Sequence, residues 1–152
     1  MYASTLATTP GVAIRVPPSM PRLQTYIVED SPVIRENLIA TLEELAPVDV
    51  VGSADSEHAA TDWLVTEQHD CDLVIVDIFL KSGSGLGVLA SFGEMLPARK
   101  VVVLSNYATP DMRRRCLELG ADRVFDKSNE IDSLVSYCLR LAGVDVGATR
   151  FD

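Results

Sequence analysis

Basic residues are scarce in this chain: Lys and Arg number 13 against 22 Asp and Glu, a formal net charge of −9. A surface of that sign repels phosphate backbones and anionic lipid, so direct nucleic-acid binding and membrane insertion are not expected. Cysteine is sparse as well. Cys71, Cys116 and Cys138 are odd in number and lack metal-type spacing, and two of them fall at apolar positions of helical segments, so they read as reduced core thiols of a cytoplasmic protein. The two histidines, His58 and His69, have no second ligand at metal spacing and read as surface residues. Long apolar runs are missing: none reaches the roughly 18 residues of a membrane span. Residues 1–22 combine neither a basic start nor an apolar stretch, so no export signal is expected.

What is present fits one domain. Residues 1–22 carry Pro10, Pro17, Pro18 and Pro21 among Ser and Thr and read as a flexible tail, in which residues 11–16 offer at most an edge strand. From Leu23 on, apolar strands alternate with segments of helical period, the pattern of βα units around a parallel sheet. Ser31-Pro32 and Thr109-Pro110 have the form of a helix N-cap followed by a first-turn proline. The first helix places Ile34, Leu38, Leu42 and Leu45 on one face and stops before Pro47. The second, residues 56–68, presents Ala60, Trp63 and Leu64, with Trp63 as an anchor on the sheet. The third carries Leu86, Leu89 and Leu96 up to Pro97. The fourth carries Met112, Cys116 and Leu119 and is capped by Gly120. The last turns Ile131, Leu134, Val135 and Cys138 inward. Strands are expected at Tyr26-Ile27-Val28, Val48 to Val51, Leu73 to Val76, Lys100 to Leu104 and Asp122 to Phe125. Residues 143–152 form a C-terminal tail. The expected fold is an α/β, doubly wound, flavodoxin-like sheet of five parallel strands in the order 2-1-3-4-5.

The strand ends carry the chemistry. Glu29-Asp30 follows the first strand, Asp77 the third, Ser105 the fourth and Asp126-Lys127 the fifth. An unpaired carboxylate is too costly to desolvate deep in a parallel sheet, so these groups belong at the carboxyl edge, where open α/β sheets keep their ligand crevice. With neighbouring strands about 4.8 Å apart, Asp30 and Asp77 face each other at the switch point and repel unless a proton or cation lies between them. A hard divalent cation answers that problem, and Mg²⁺ suits a site with so few carboxylates; Mn²⁺ can substitute. Lys127 and the Ser105 hydroxyl approach from the other side. Such a pocket suits a phosphoryl group, with Asp77 as the attacking carboxylate. Gly83, Gly85 and Gly87 do not complete a dinucleotide loop, because Val88 stands where a third glycine is required, and no Walker lysine follows; they read as a turn and close helix packing. Arg113-Arg114-Arg115 fans around its helix and reads as a solvated face.

Glu29-Asp30, Asp77, Gly85, Ser105 and Lys127, in that order and on those elements, make the chain resemble the receiver domain of two-component response regulators over residues 23–142. The resemblance implies that Asp77 accepts a phosphoryl group from a phosphohistidine on a sensor histidine kinase or phosphotransfer protein. It implies Mg²⁺ held by Asp30, Asp77 and the backbone carbonyl of Phe79, with Glu29 reached mainly through water, and Ser105 and Lys127 on the phosphoryl oxygens. It implies a switch rather than a turnover enzyme, acting on a downstream protein partner, with room for a homodimer. No chain remains after the receiver for an effector, so a stand-alone type is expected. The alternatives are a phosphate-independent pseudo-receiver and a small Mg²⁺-dependent phosphohydrolase; the latter is weakened because Phe79 stands where its acid/base aspartate is required.

Three positions depart from the family pattern. Ser128 replaces the proline after the lysine, and a trans Lys127-Ser128 peptide is expected, since a non-prolyl cis bond costs about 3 kcal/mol. Lys81 replaces the loop proline beyond the acceptor and brings a second cation near the pocket mouth. Val124 occupies the place of the switch aromatic, and Phe125 cannot substitute because successive strand side chains point to opposite faces. Tyr107, two residues past Ser105, is expected to move with its loop in the switch and, with Phe79, to shield the acyl phosphate from water.

Overall fold

The computed structural model describes residues 22–64, 66, 71–95 and 99–144. Among the described residues five strands, β1 (Leu23–Val28), β2 (Val48–Ala54), β3 (Leu73–Val76), β4 (Lys100–Ser105) and β5 (Arg123–Asp126), alternate with five helices. These are α1 (Pro32–Leu45), α2 (Glu57–Leu64), α3 (Gly85–Met95), α4 (Pro110–Glu118) and α5 (Ile131–Leu141). Every pairing is parallel and the strand order is β2-β1-β3-β4-β5, the order expected from the βα alternation. Alternation along the strands divides the core in two. Ile27, Leu73, Ile75, Val102 and Leu104 join Leu38, Leu42, Leu134 and Leu139 of α1 and α5. Tyr26, Val28, Val74, Val76, Val101 and Val103 join Ala60, Val88, Leu89, Phe92 and Cys116 of α2, α3 and α4. Each large side chain buried in this way contributes about 1.5–3 kcal/mol. All three cysteines are buried, and none of them is in a disulfide.

Local chemistry sets the helix ends. Ser31 Oγ accepts from the Ile34 N–H at 3.3 Å and Thr109 Oγ1 from the Met112 N–H at 3.2 Å, each just before a first-turn proline. α1 ends at Leu45, with Ala46 as its C-cap ahead of Pro47, and Gly120 follows α4 at φ 108°.

Several expectations are corrected. β2 runs on to Ala54 rather than stopping at Val51: the register against β1 slips between Thr25 and Tyr26, so that Val51 bulges out, 42% exposed, and Gly52 lies opposite Tyr26. A Cβ on Gly52 would stand 3.1 Å from the Tyr26 ring, which stacks on Trp63 with centroids 4.0 Å apart; Trp63 is the expected sheet anchor. α2 ends at Leu64, and Thr66 is not helical. Ile34 and Leu119 follow the helical period yet are exposed, at 39% and 37%. Arg22, expected in the tail, is tied to Asp49 at 2.7 Å. Residues 1–21, His69, Leu96, Pro97 and 145–152, including most of both expected tails and the 11–16 edge strand, lie outside the described residues.

The strand ladder carries the site residues past the strand ends. Asp77 N–H donates to Val28 O at 2.9 Å, Glu29 N–H to Ala54 O at 2.9 Å and Lys127 N–H to Ser105 O at 3.0 Å. Behind Asp77, Gly85 N–H donates to Ile78 O, and a Cβ at position 85 would fall 2.2 Å from Asp77 O and 2.6 Å from Ile78 Cα. Those neighbours are backbone and cannot rotate away. Gly85→Ala is therefore expected to lower stability by about 2 kcal/mol or more, read as a shifted urea midpoint; an unchanged midpoint would show that this close approach is dispensable.

Candidate functional site

Glu29, Asp30 and Asp77 come together at the carboxyl ends of β1 and β3, with one carboxylate oxygen from each lying within 4.8 Å of the other two. Glu29 and Asp77 are 2% and 7% exposed, and Asp30 is half-buried. Lys127, arriving from the end of β5, places Nζ 2.7 Å from Glu29 Oε1 and 3.1 Å from Asp77 Oδ2. The remaining bonds come from backbone amides. Ser31 N–H donates to Glu29 Oε2 at 3.1 Å, Phe79 N–H to Asp77 Oδ1 at 3.3 Å and Lys81 N–H to Asp30 Oδ2 at 2.6 Å.

Three carboxylates against one ammonium leave a formal charge of minus two in a buried pocket. At 4.8 Å two like charges repel by about 3.5 kcal/mol at an effective dielectric near 20. Burial raises the pKa of Asp77 above the usual aspartate value; the Lys127 cation opposes that rise and the Glu29 charge adds to it. Burial works against the Lys127 charge, but its bonds to Glu29 and Asp77 outweigh that cost and hold the pKa above the usual lysine value. Lys127 is thus a fixed cation. The residues suit a hard divalent cation: oxygen donors only, a deficit of two positive charges, and an open side toward Asp30.

Ser105 is fully buried at the end of β4, and its Oγ accepts from the Tyr107 N–H at 3.1 Å. Phe79 and Tyr107 are 50% and 63% exposed and meet edge to face, centroids 5.2 Å apart. Val124 is a buried core residue. Among the described residues no peptide is cis, so the Lys127-Ser128 bond is trans as expected. Ser128 N–H and hydroxyl both bond Asp126 Oδ1, which holds that carboxylate below the usual range. At Lys81 the contact with the pocket is made by the main-chain amide.

Two features were not anticipated. Glu57, in the first turn of α2, reaches across to accept from the Ser84 N–H at 2.9 Å. Arg113 is not part of a solvated face: it donates to Ala108 O at 3.0 Å, Val124 O at 2.8 Å and Glu130 Oε1 at 3.0 Å, tying α4 to β5, while Arg114 pairs with Asp111. An isolated acidic or basic residue in a helical segment gives no sign of such a long-range bond.

Because the folded protein raises the Asp77 pKa, it binds that proton more tightly than the unfolded chain does. The ionised carboxylate then costs stability above the folded pKa, a cost that vanishes as pH falls below the unfolded value. In EDTA, Asp77→Asn is expected to melt a few degrees above the unaltered chain at pH 7 and to lose that advantage as the pH is lowered through the carboxylate range. A lower melting point at pH 7 would contradict it.

The model of the response regulator receiver domain family matches residues 25–138. The transcriptional regulatory protein MctR of Rhizobium johnstonii is 27% identical over 131 residues, covering 86% of this chain and 59% of that protein. The first curated relatives matched are spanned for 30% to 59% of their own length. Among solved structures, the receiver domain of the putative regulator NarL from Mycobacterium tuberculosis aligns with a TM-score of 0.70 at 24% identity, over 80% of this chain and 97% of that one. A response regulator from Burkholderia pseudomallei, solved with a phosphorylated aspartic acid, calcium ion and citrate, aligns with a TM-score of 0.65 at 22% identity, over 79% and 68% of the two chains. No described helix is long and apolar enough to cross a membrane. A match across most of the sheet, with acids, alcohol and amine on the expected strand ends, means that this chain belongs to the response regulator receiver domain family of two-component signalling proteins.

Proposed function

We propose that the chain is a phosphorylation-dependent switch that takes a phosphoryl group onto Asp77 from a phosphohistidine donor, a histidine kinase or phosphotransfer protein. The observation that carries this reading is the Lys127 ammonium held between Glu29 and Asp77 beside a third carboxylate. An Asp77 oxygen attacks phosphorus, the P–N bond of the donor breaks, and its electron pair returns to the imidazole, which takes up a proton from solvent. Asp30, Asp77 and the backbone carbonyl of Phe79 would hold Mg²⁺, with Glu29 reached mainly through water; when bound the ion supplies positive charge to the phosphoryl oxygens.

The protein's own groups do the rest. The amides of Phe79 and Lys81 fix the Asp77 and Asp30 carboxylates before any donor arrives. Phosphorylation removes the charge of Asp77 and places negative charge on the phosphoryl oxygens, so Lys127 loses one acceptor and gains another within reach. The Ser105 oxygen already accepts from Tyr107 N–H, which leaves its hydroxyl proton free to donate to a phosphoryl oxygen. Ser105 and Tyr107 belong to one segment ahead of α4, so drawing in the hydroxyl draws the Tyr107 backbone with it. The surface around α4 then differs between the two states, and a downstream protein can read the difference.

The test is incubation with Mg²⁺ and a small phosphodonor. The expected product is one acid-labile phosphoryl group, absent from Asp77→Asn; no mass increase, or one that survives that substitution, would contradict the reading. The Phe79 and Tyr107 rings, which meet edge to face two residues beyond Asp77 and Ser105, should slow water. A Phe79→Ala, Tyr107→Ala double variant is expected to lose phosphate several-fold faster, followed by the decay of the phosphorylated mass, and an unchanged rate would count against shielding.

A further inference from the structure

The loop between β3 and α3 is gripped from two sides by carboxylates. Asp30 Oδ2 accepts from the Lys81 N–H at 2.6 Å, and Glu57 Oε1 accepts from the Ser84 N–H at 2.9 Å. Glu57 N–H also donates to Ser82 O at 3.2 Å. Glycine makes room for the Glu57 side chain: a Cβ on Gly87 would lie 2.2 Å from Glu57 Oε2, and one on Gly83 2.4 Å from Glu57 Cβ. The same loop starts with the Phe79 N–H on Asp77 Oδ1. Two of the three pocket carboxylates are therefore oriented by amides of one loop, and Glu57 fixes that loop to α2.

Position 81 is decisive because only a residue other than proline has an N–H there to give. The Lys81 side chain is exposed, and the contact is made by the main chain. A short bond from an amide to a carboxylate is charge-assisted; it fixes the plane of the acceptor and with it the direction in which the second oxygen points. Groups that bond the ligands of a cation from outside commonly decide how tightly the cation is held.

We propose that the Lys81 backbone amide is a positioning group for the cation site, holding the Asp30 carboxylate in its ligating orientation, with Glu57 as the anchor of the loop that carries it. This rests on the cation reading given above. Two variants separate the amide from the side chain: Lys81→Ala keeps the N–H and Lys81→Pro removes it. In calorimetric titration of the full chain with Mg²⁺ alone, Lys81→Pro is expected to bind about tenfold more weakly than Lys81→Ala. Equal affinities in the two variants would overturn the proposal. Absence of Mg²⁺ binding in the unaltered chain would instead fail the cation site itself.

A second measurement does not depend on a proline variant that folds. In ¹H–¹⁵N spectra of the metal-free chain, the Lys81 amide proton is expected well downfield and should move upfield in Asp30→Ala, while the Ser84 amide, bonded to Glu57, stays in place. A Lys81 resonance indifferent to Asp30→Ala would overturn the proposal whatever the affinities.

Discussion

One buried ammonium serves two buried carboxylates, and the architecture of the pocket follows from that imbalance. Lys127 cannot neutralise Glu29 and Asp77 together, and Asp30 stands within 4.8 Å with a third charge. A fold that needed only stability would place apolar groups at such positions, since buried ionic clusters contribute little net stability. The parallel sheet supplies the rigidity that holds the charges in register: Val28 pairs with Val76, Val76 with Val103 and Ser105 with Asp126, so the residues that follow converge on one rim. The charge deficit and the preset amides are two parts of one arrangement, a site short of positive charge and already shaped to receive it.

The same economy of contacts connects the pocket to the rest of the molecule. Arg113 joins Ala108 ahead of α4, Val124 in β5 and Glu130 after it, and Glu130 also accepts from the Asp126 N–H at 2.6 Å. Segments that carry Ser105 and Lys127 are thereby linked through hydrogen bonds at a place where Val124 offers no aromatic ring. An open cavity of about 310 Å³ lies between α1 and the ends of β4 and β5, lined by Ile34, Asn106, Lys127 and Ile131 among others.

Much of this was legible in the sequence, for identifiable reasons. Apolar strands ending in Asp77, Ser105 or Lys127 announce their own rim, because desolvation forbids those groups a deeper place, and the βα alternation fixes the strand order. Capping residues marked the starts of α1 and α4 for an equally local reason. What escaped was non-local or made by backbone. Gly52 and Ser53 look like turn residues, yet β2 runs through them, paired with Tyr26 and Ile27, and Gly52 lies close against the Tyr26 ring. Position 81 could be read as a lost proline and a gained charge, but the amide bond to Asp30 has no side-chain signature. Glu57 and Arg113 likewise depend on partners that only the fold brings near.

The most direct test is a crystal structure of the chain with Mg²⁺ and beryllofluoride, whose fluorides stand in for phosphoryl oxygens. The account predicts beryllium on an Asp77 oxygen, the ion among Glu29, Asp30 and Asp77, and Lys127 Nζ moved from the Asp77 carboxylate to a fluoride. Beryllofluoride absent from Asp77, or Lys127 still bridging Glu29 and Asp77 with the ion elsewhere, would contradict it.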